Sequence, residues 1–403
     1  MIKKAVCALV CIVVLVSFTG CITTFTPNQL MSGVSGQSEY YTQTDDGWTL
    51  ALKRFNGGSS KPPVILCHGF NYNDRFYTLS NGVSLATWLA SRGYDVWVVS
   101  LRGSGSSTKW VYKLGQRGLE GLDVYNAIDA ENWIGAGLGG AELLWNLGRD
   151  QYKNVTINPK YMDWSLDDYA NYDVPAVLKF VRQTTGHSKP FWIGHSMGGI
   201  IMLVHLIRQP DEPLQGLVTV GSQLTMEPGS VLVEYFAQMH ALRLLQIGGN
   251  SDQLEMARRE AEAAADRLFF NEENKNPMTA HTLHSIGTDT PGITVIGQYM
   301  ELVGSGQLKS IRNEYNYAQN ARNITVPYLI MCGAGDKLAP PPEQRFLYEN
   351  ISSADKELQI LGMQYGFSSD FGHNDSLISD RAVAEVYPVI ETWLQTHLTE
   401  TSN

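Results

Sequence analysis

Along Tyr40 to Phe55 the chain carries two strand-like runs interrupted at Asp45-Asp46-Gly47, a composition suited to a hairpin turn. Beyond it, short apolar runs alternate with segments of helical period. The pattern predicts strands at Pro63–Cys67, Asp95–Ser100, Pro190–Ile193 and Gly216–Val220. Between and after them it predicts helices at Ser84–Arg92, Leu166–Gln183 and Gly198–Arg208. Strands that alternate with helices imply a mostly parallel sheet covered on both faces, an α/β architecture. After Ser222 the rhythm breaks for roughly a hundred residues of mainly helical pattern. It resumes with a strand at Tyr328–Cys332, a helix near Glu343–Glu349, a strand at Glu357–Leu361 and a last helix, Ala382–His397. The expected core is therefore 39–222 and 327–399, with 223–326 an inserted helical cap. A second interruption, Arg102 to Asp163, is rich in Gly, Trp and Tyr and predicts no regular element. Its glycine run, Gly135 to Gly140, lacks the strand-to-helix context of a nucleotide-binding loop and reads as a surface loop.

Composition changes this picture at the N-terminus. Lys3 and Lys4 precede an uninterrupted apolar run, Ala5 to Phe18, that is short for a membrane span. Phe18-Thr19-Gly20-Cys21 resembles the bacterial lipoprotein signal, so residues 1–20 are expected to be removed, Cys21 to be lipidated, and 21–38 to form a linker. The expected location is the bacterial cell envelope, anchored to a membrane by lipid. An ordinary secretory signal and an uncleaved helical anchor are the competing readings, and all three place the body outside the cytoplasm. The 403 residues are 43% hydrophobic and 17% charged, enough to bury a sizeable core. A net charge of −10 argues against nucleic acid as a partner, because gripping a phosphate backbone takes clustered Lys and Arg. Cys67 and Cys332 each end an apolar strand-like run and read as buried thiols without chemistry.

The strongest chemical signal is Gly194-His195-Ser196-Met197-Gly198, between an apolar run and an apolar helix: the strand-turn-helix context of a nucleophile elbow. A serine hydroxyl is a poor nucleophile without a base in reach and an acid to hold that base. Asp336 follows the strand Tyr328–Cys332 through Gly333-Ala334-Gly335 and fits the acid, although a Gly-Asp-Lys turn could equally be a solvated connection. His373, in Asp370-Phe371-Gly372-His373-Asn374-Asp375, lies between the last strand and the last helix, and completes the order Ser, Asp, His. Backbone N–H groups of Met197 and Phe70 are the candidate oxyanion donors, Phe70 because Cys67-His68-Gly69-Phe70 directly follows an early strand. His68 reads as a hydrogen-bonder in that loop, and His195 as a packing residue beside the nucleophile. No His and acidic residues fall at the spacing of a zinc site, so no metal and no cofactor are expected. Val231–Phe236, Ala241–Ile247 and Ile293–Leu302 offer apolar faces that either line an acyl pocket or pack the cap.

With these motifs in place, the chain resembles the α/β-hydrolase superfamily, and within it the acid lipase group of gastric and lysosomal lipases. Thr44-Asp45-Asp46-Gly47-Trp48-Thr49-Leu50 is similar to that group's opening hairpin, His68-Gly69 to its oxyanion loop, and Leu85–Arg102 to its next helix and strand. Tyr169–Val181, with Asp173-Val174-Pro175-Ala176, is similar to the helix leading into the nucleophile strand. Two features depart from that group: the Arg102–Asp163 loop is longer, and Met197 after the nucleophile is more like the monoacylglycerol lipases. A further likeness, to the polyhydroxyalkanoate synthases around Leu85–Val98 and Ser165–Val181, fails at the nucleophile, which is Cys there and Ser196 here. The resemblance implies a serine hydrolase cleaving a small-molecule or lipid carboxylic ester through an acyl-enzyme. An acyltransferase or polyester depolymerase with the same triad is the alternative, and a non-catalytic binding protein of the same fold a more distant one.

Overall fold

The computed structural model describes residues 37–79, 82–108, 163–227, 265–289 and 291–398. The chain divides into two compact units, Met1–Gln37 and Ser38–Asn403. All of the first except Gln37 lies outside the described residues, and with it the leader and Cys21. Also outside are most of the Arg102–Asp163 interruption and the apolar stretches Val231–Phe236 and Ala241–Ile247.

Eight strands form one sheet: β1 (Gln37–Gln43), β2 (Thr49–Asn56), β3 (Val64–Cys67), β4 (Asp95–Ser100), β5 (Phe191–His195), β6 (Gly216–Val220), β7 (Tyr328–Gly333) and β8 (Lys356–Leu361). Their order across the sheet is β1-β2-β4-β3-β5-β6-β7-β8. From β4 to β8 every pairing is parallel, and β2 runs antiparallel to β4. β3 to β7 are buried on both faces, which is why their sequences read as continuous apolar runs. Edge strand β1 instead alternates half-exposed and exposed positions. The α/β architecture with a mostly parallel sheet is as the pattern predicts.

The named helices are α1 (Leu85–Ala90), α2 (Val174–Thr185), α3 (Met197–Arg208), α4 (Pro277–Ile286), α5 (Ile293–Ser305), α6 (Pro341–Asn350) and α7 (Tyr387–Thr396). Gly186, at φ 76°, supplies the left-handed residue that ends α2. α6 begins inside the Pro340–Pro342 run, where a proline at the first helical position leaves no donor wanting. Two helices that the pattern reads as continuous are each entered through a π turn, Tyr169–Asp173 before α2 and Ala382–Val386 before α7. α4 and α5 belong to the stretch 223–326. Its final part packs onto α3: Leu308, Tyr317 and Ile324 are buried in the common core, and Arg208 of α3 hydrogen-bonds the Tyr317 hydroxyl at 2.6 Å.

The π turn before α2 delivers Asp173 to Arg102, just past β4. The Asp173 carboxylate accepts from Arg102 Nε at 2.7 Å and from its backbone N–H at 3.0 Å. The other side of the guanidinium donates to both oxygens of Asp46 in the hairpin turn, at 2.7 and 3.0 Å. Arg102 is 1% exposed and Asp173 0%, so the pair is desolvated and each charge depends on the other. Burial pushes the Asp173 carboxyl up to about 6, with Arg102 pulling against it. Arg102→Met leaves that carboxylate without its cation and is expected to cost about 3–5 kcal/mol in urea unfolding at neutral pH. Asp46→Ala, whose side chain keeps 26% of its exposure, is expected to cost much less. In Arg102→Met the carboxyl moves further up, so the folded state takes up a proton that the unfolded chain releases. Stability of the variant relative to the parent should therefore recover as pH falls from 7 towards 5, and a cost constant over that range would rule out this origin.

Candidate active site

β5 runs two residues beyond its predicted end and delivers Ser196 directly onto the first turn of α3. Ser196 has φ 50° and ψ −120°, a conformation rare for a residue with a Cβ. Its backbone is held there from several sides. The N–H donates to the Val220 carbonyl at 2.9 Å, and its own carbonyl accepts from Gly199 and Ile200 N–H and from the Ser222 hydroxyl at 2.8 Å. The glycines on either side permit the closeness of the turn. A Cβ at Gly198 would stand 2.2 Å from the Cys67 carbonyl oxygen, and one at Gly194 2.3 Å from Gly199 N. The start of α3 thus lies against the end of β3 at a distance that only a missing side chain allows.

The other predicted residues converge from the carboxyl ends of the neighbouring parallel strands. Asp336 follows β7 and His373 follows β8. Asp336 Oδ2 and His373 Nδ1 are 2.8 Å apart, and both residues are buried. The second carboxylate oxygen, Oδ1, accepts from the backbone N–H groups of Leu338 and Ala339, each at 2.8 Å. Asp336 is therefore a buried, fully engaged group and not a solvated turn. Gly221, immediately after β6, makes room for the pair: a Cβ there would stand 3.0 Å from Asp336 Oδ2 and from His373 Nδ1. The loop after β3 closes the other side, where a Cβ at Gly69 would stand 3.0 Å from Ser196 Cβ. Phe70 follows in that loop, and Met197 occupies the first position of α3, whose N–H has no intrahelical partner.

The neighbouring histidines are fixed by hydrogen bonds. Leu101 N–H donates to His68 Nε2 at 3.3 Å, which leaves Nδ1–H to donate to the Gly69 carbonyl at 2.9 Å. His68 thereby ties the Gly69 loop to the end of β4, the role its position suggested. His195 does more than pack. Its ring stacks on Phe76 at 4.4 Å between centroids, and Nε2 lies 3.1 Å from the His373 carbonyl oxygen, which only an Nε2–H can satisfy. Complete burial, with His373 alongside, holds its pKa well below the ordinary histidine range, so the ring is neutral. The residue before Ser196 therefore holds the backbone of His373. Nothing in the local sequence signals this, because the two residues are 178 positions apart. The thiols of Cys67 and Cys332 are buried and pushed up by desolvation, and neither faces this chemistry as a thiolate. Among the described residues no cluster of His, Cys, Asp and Glu could hold a metal ion.

Residues 62–362 match the family model described as the alpha/beta hydrolase fold. Among curated proteins, human lipase member K is 28% identical over 182 residues, 43% of this chain and 35% of that protein. Mouse gastric triacylglycerol lipase is 24% identical over 396 residues, 88% of each chain. This chain spans only about a third of lipase member K and of other curated lipases that it matches. A solved esterase from Exiguobacterium antarcticum superposes with a TM-score of 0.54 at 17% identity, covering 88% of this chain and 98% of that one, a likeness of fold. With residues 62–362 matched by that model, the chain belongs to the α/β-hydrolase fold family.

Proposed function

We propose that the protein hydrolyses carboxylic esters with Ser196 as nucleophile, His373 as general base and Asp336 as the acid that orients the base. The observation that carries this reading is the 2.8 Å bond between Asp336 Oδ2 and His373 Nδ1, beside a serine held at positive φ. Asp336 fixes the tautomer with the proton on Nδ1, which leaves Nε2 free to accept. Ser196 Oγ attacks the ester carbonyl as its proton passes to His373 Nε2. The negative charge that develops on the carbonyl oxygen is met by the N–H groups of Phe70 and Met197. Collapse of the tetrahedral adduct expels the alcohol, which takes the proton from His373, and an acyl-Ser196 ester remains. Water, deprotonated by His373, then releases the acid and restores the serine. The relatives named lipases favour lipid esters as substrates, and Cys21, once lipidated, would keep the enzyme at a membrane where such esters reside.

A series of p-nitrophenyl esters from short to long chains is expected to be hydrolysed by the mature body, with Ser196→Ala at background. A Ser196→Ala protein that kept the parent rate would end the proposal. Rates that peak on long chains would mark lipid acyl esters as the preferred substrates. Asp336→Asn removes the acceptor that selects the tautomer and should lower kcat by roughly 10³–10⁴ with little change in KM. For the anchor, expression of the full chain in bacteria should place it in the membrane fraction, and Cys21→Ala should abolish incorporation of a labelled fatty acid. Equal labelling of the two would reject lipidation at Cys21.

A further inference from the structure

Asp375 lies two residues after His373, is 0% exposed, and has no cation beside it among the described residues. A buried carboxylate without a counter-ion is expensive unless donors surround it. Here the donors come from two parts of the chain. Oδ2 accepts from Gly372 N–H, in its own loop, at 2.9 Å, and from Asn274 Nδ2 at 2.8 Å; Oδ1 accepts from Asn271 N–H at 2.9 Å. Asn271 and Asn274 belong to the inserted stretch ahead of α4. The same segment makes further bonds to this loop: Asn374 N–H donates to the Phe269 carbonyl at 2.7 Å, and Asn274 Nδ2 to the Asp370 carbonyl at 3.1 Å. The loop and the segment meet so closely that a Cβ at Gly372 would stand 2.7 Å from Asn271 N. Burial raises the Asp375 carboxyl above its ordinary range, and the N–H donors act to hold it down. The residues on both sides of His373 are therefore fastened to the insertion, while its ring is fastened to Asp336.

We infer that Asp375 is a positioning residue through which the inserted segment Phe269–Asn274 holds the His373 loop in register with Asp336 and Ser196. The inference rests on His373 being the base. It makes this part of the insertion a component of the catalytic apparatus, in addition to whatever cover it gives the substrate. Asp375→Asn presents an amide N–H₂ to one of the N–H groups that now donate, so one side of the clasp must open. The core contacts of His373, to Asp336 and to His195, are untouched by the substitution. On a short soluble ester kcat should fall by about 10- to 100-fold, the size expected when a reacting group is slightly misplaced, and KM should change little. Asn274→Ala removes only the side-chain donor and should have a smaller effect in the same direction. The double variant should lose less than the product of the two single effects, because the two residues share the contact between Asn274 Nδ2 and Asp375. A second readout is independent of turnover: the strongly deshielded proton shared by His373 Nδ1 and Asp336, followed by proton NMR, should weaken or shift in Asp375→Asn. A folded Asp375→Asn protein with parental kcat and an unchanged proton signal overturns the inference, as do strictly additive effects of the two substitutions. If the parent hydrolyses no ester, the hydrolase reading fails, and the NMR signal alone still decides the role of Asp375.

Discussion

The turn at Ser196 is the constraint on which the rest of this structure depends. A non-glycine residue at φ 50° and ψ −120° costs about 1–3 kcal/mol and persists only where its surroundings leave no alternative. Those surroundings are the two strands that flank β5. β6 supplies the acceptor for the Ser196 N–H through Val220 and, just beyond its end, the Ser222 hydroxyl that holds the Ser196 carbonyl. β3 supplies the backbone surface against which Gly198 is pressed. The strain is thus distributed into the parallel sheet, where three neighbouring strands end at one edge. The reward for holding it is a hydroxyl raised clear of β5 at the start of α3, where helix N–H groups point the same way.

The same edge explains why the groups that meet there are so far apart in sequence. In a parallel sheet each strand end opens into its own loop, and neighbouring loops are brought together by crossovers, not by proximity along the chain. β3 contributes Gly69 and Phe70, β5 Ser196, β6 Gly221 and Ser222, β7 Asp336 and β8 His373. Two buried cations beside this sheet are each paired with carboxylates. Arg102 joins the end of β4 to the hairpin turn and to the entry of α2, and Lys53 of β2 is paired with Asp74, which burial pushes up and Lys53 holds below the usual carboxylate range.

How much of this could be read in the sequence follows from the range of each interaction. β3 to β7 were legible because burial on both faces writes an unbroken apolar run. Ser196 was legible because a sharp turn between strand and helix demands small residues at fixed offsets. Asp336 and His373 could be placed by their position after the last two strands. What escaped is the set of contacts that close over long separations without a local mark. The π turn that swings Asp173 to Arg102 looks like ordinary helix, since an extra residue in one turn barely disturbs the apolar period. The final part of the stretch 223–326 was assigned to the insertion, yet Tyr317 and Ile324 have the same composition whether they cover α3 or pack among themselves. His195 and Asp375 carry no signal beyond their nearness to Ser196 and His373, because the partner of His195 lies 178 residues away and two of the three donors to Asp375 come from about a hundred residues away.

Those last two residues show how the site resolves a conflict built into its design. In the mechanism proposed above, His373 must reach Ser196 and the leaving group in turn, so it belongs on a loop; yet its geometry must be kept within a fraction of an ångström. A loop anchored only through the catalytic acid would leave the ring free to pivot about the Nδ1–Oδ2 bond. Here the backbone of that loop is held by His195, a neutral ring at the end of β5, and by Asn271 and Asn274, from the stretch between β6 and β7, through Asp375. Neither anchor touches the base's reacting nitrogen. In the proposed mechanism the His373 imidazole can therefore gain and lose a proton without breaking the bonds that place it. A protonated His195 would still donate to the His373 carbonyl, but burial holds its pKa well below the ordinary histidine range, so no second positive charge stands beside the imidazolium of the proposed mechanism. Burial of His195 thus suits the proposed chemistry as well as the packing of the core.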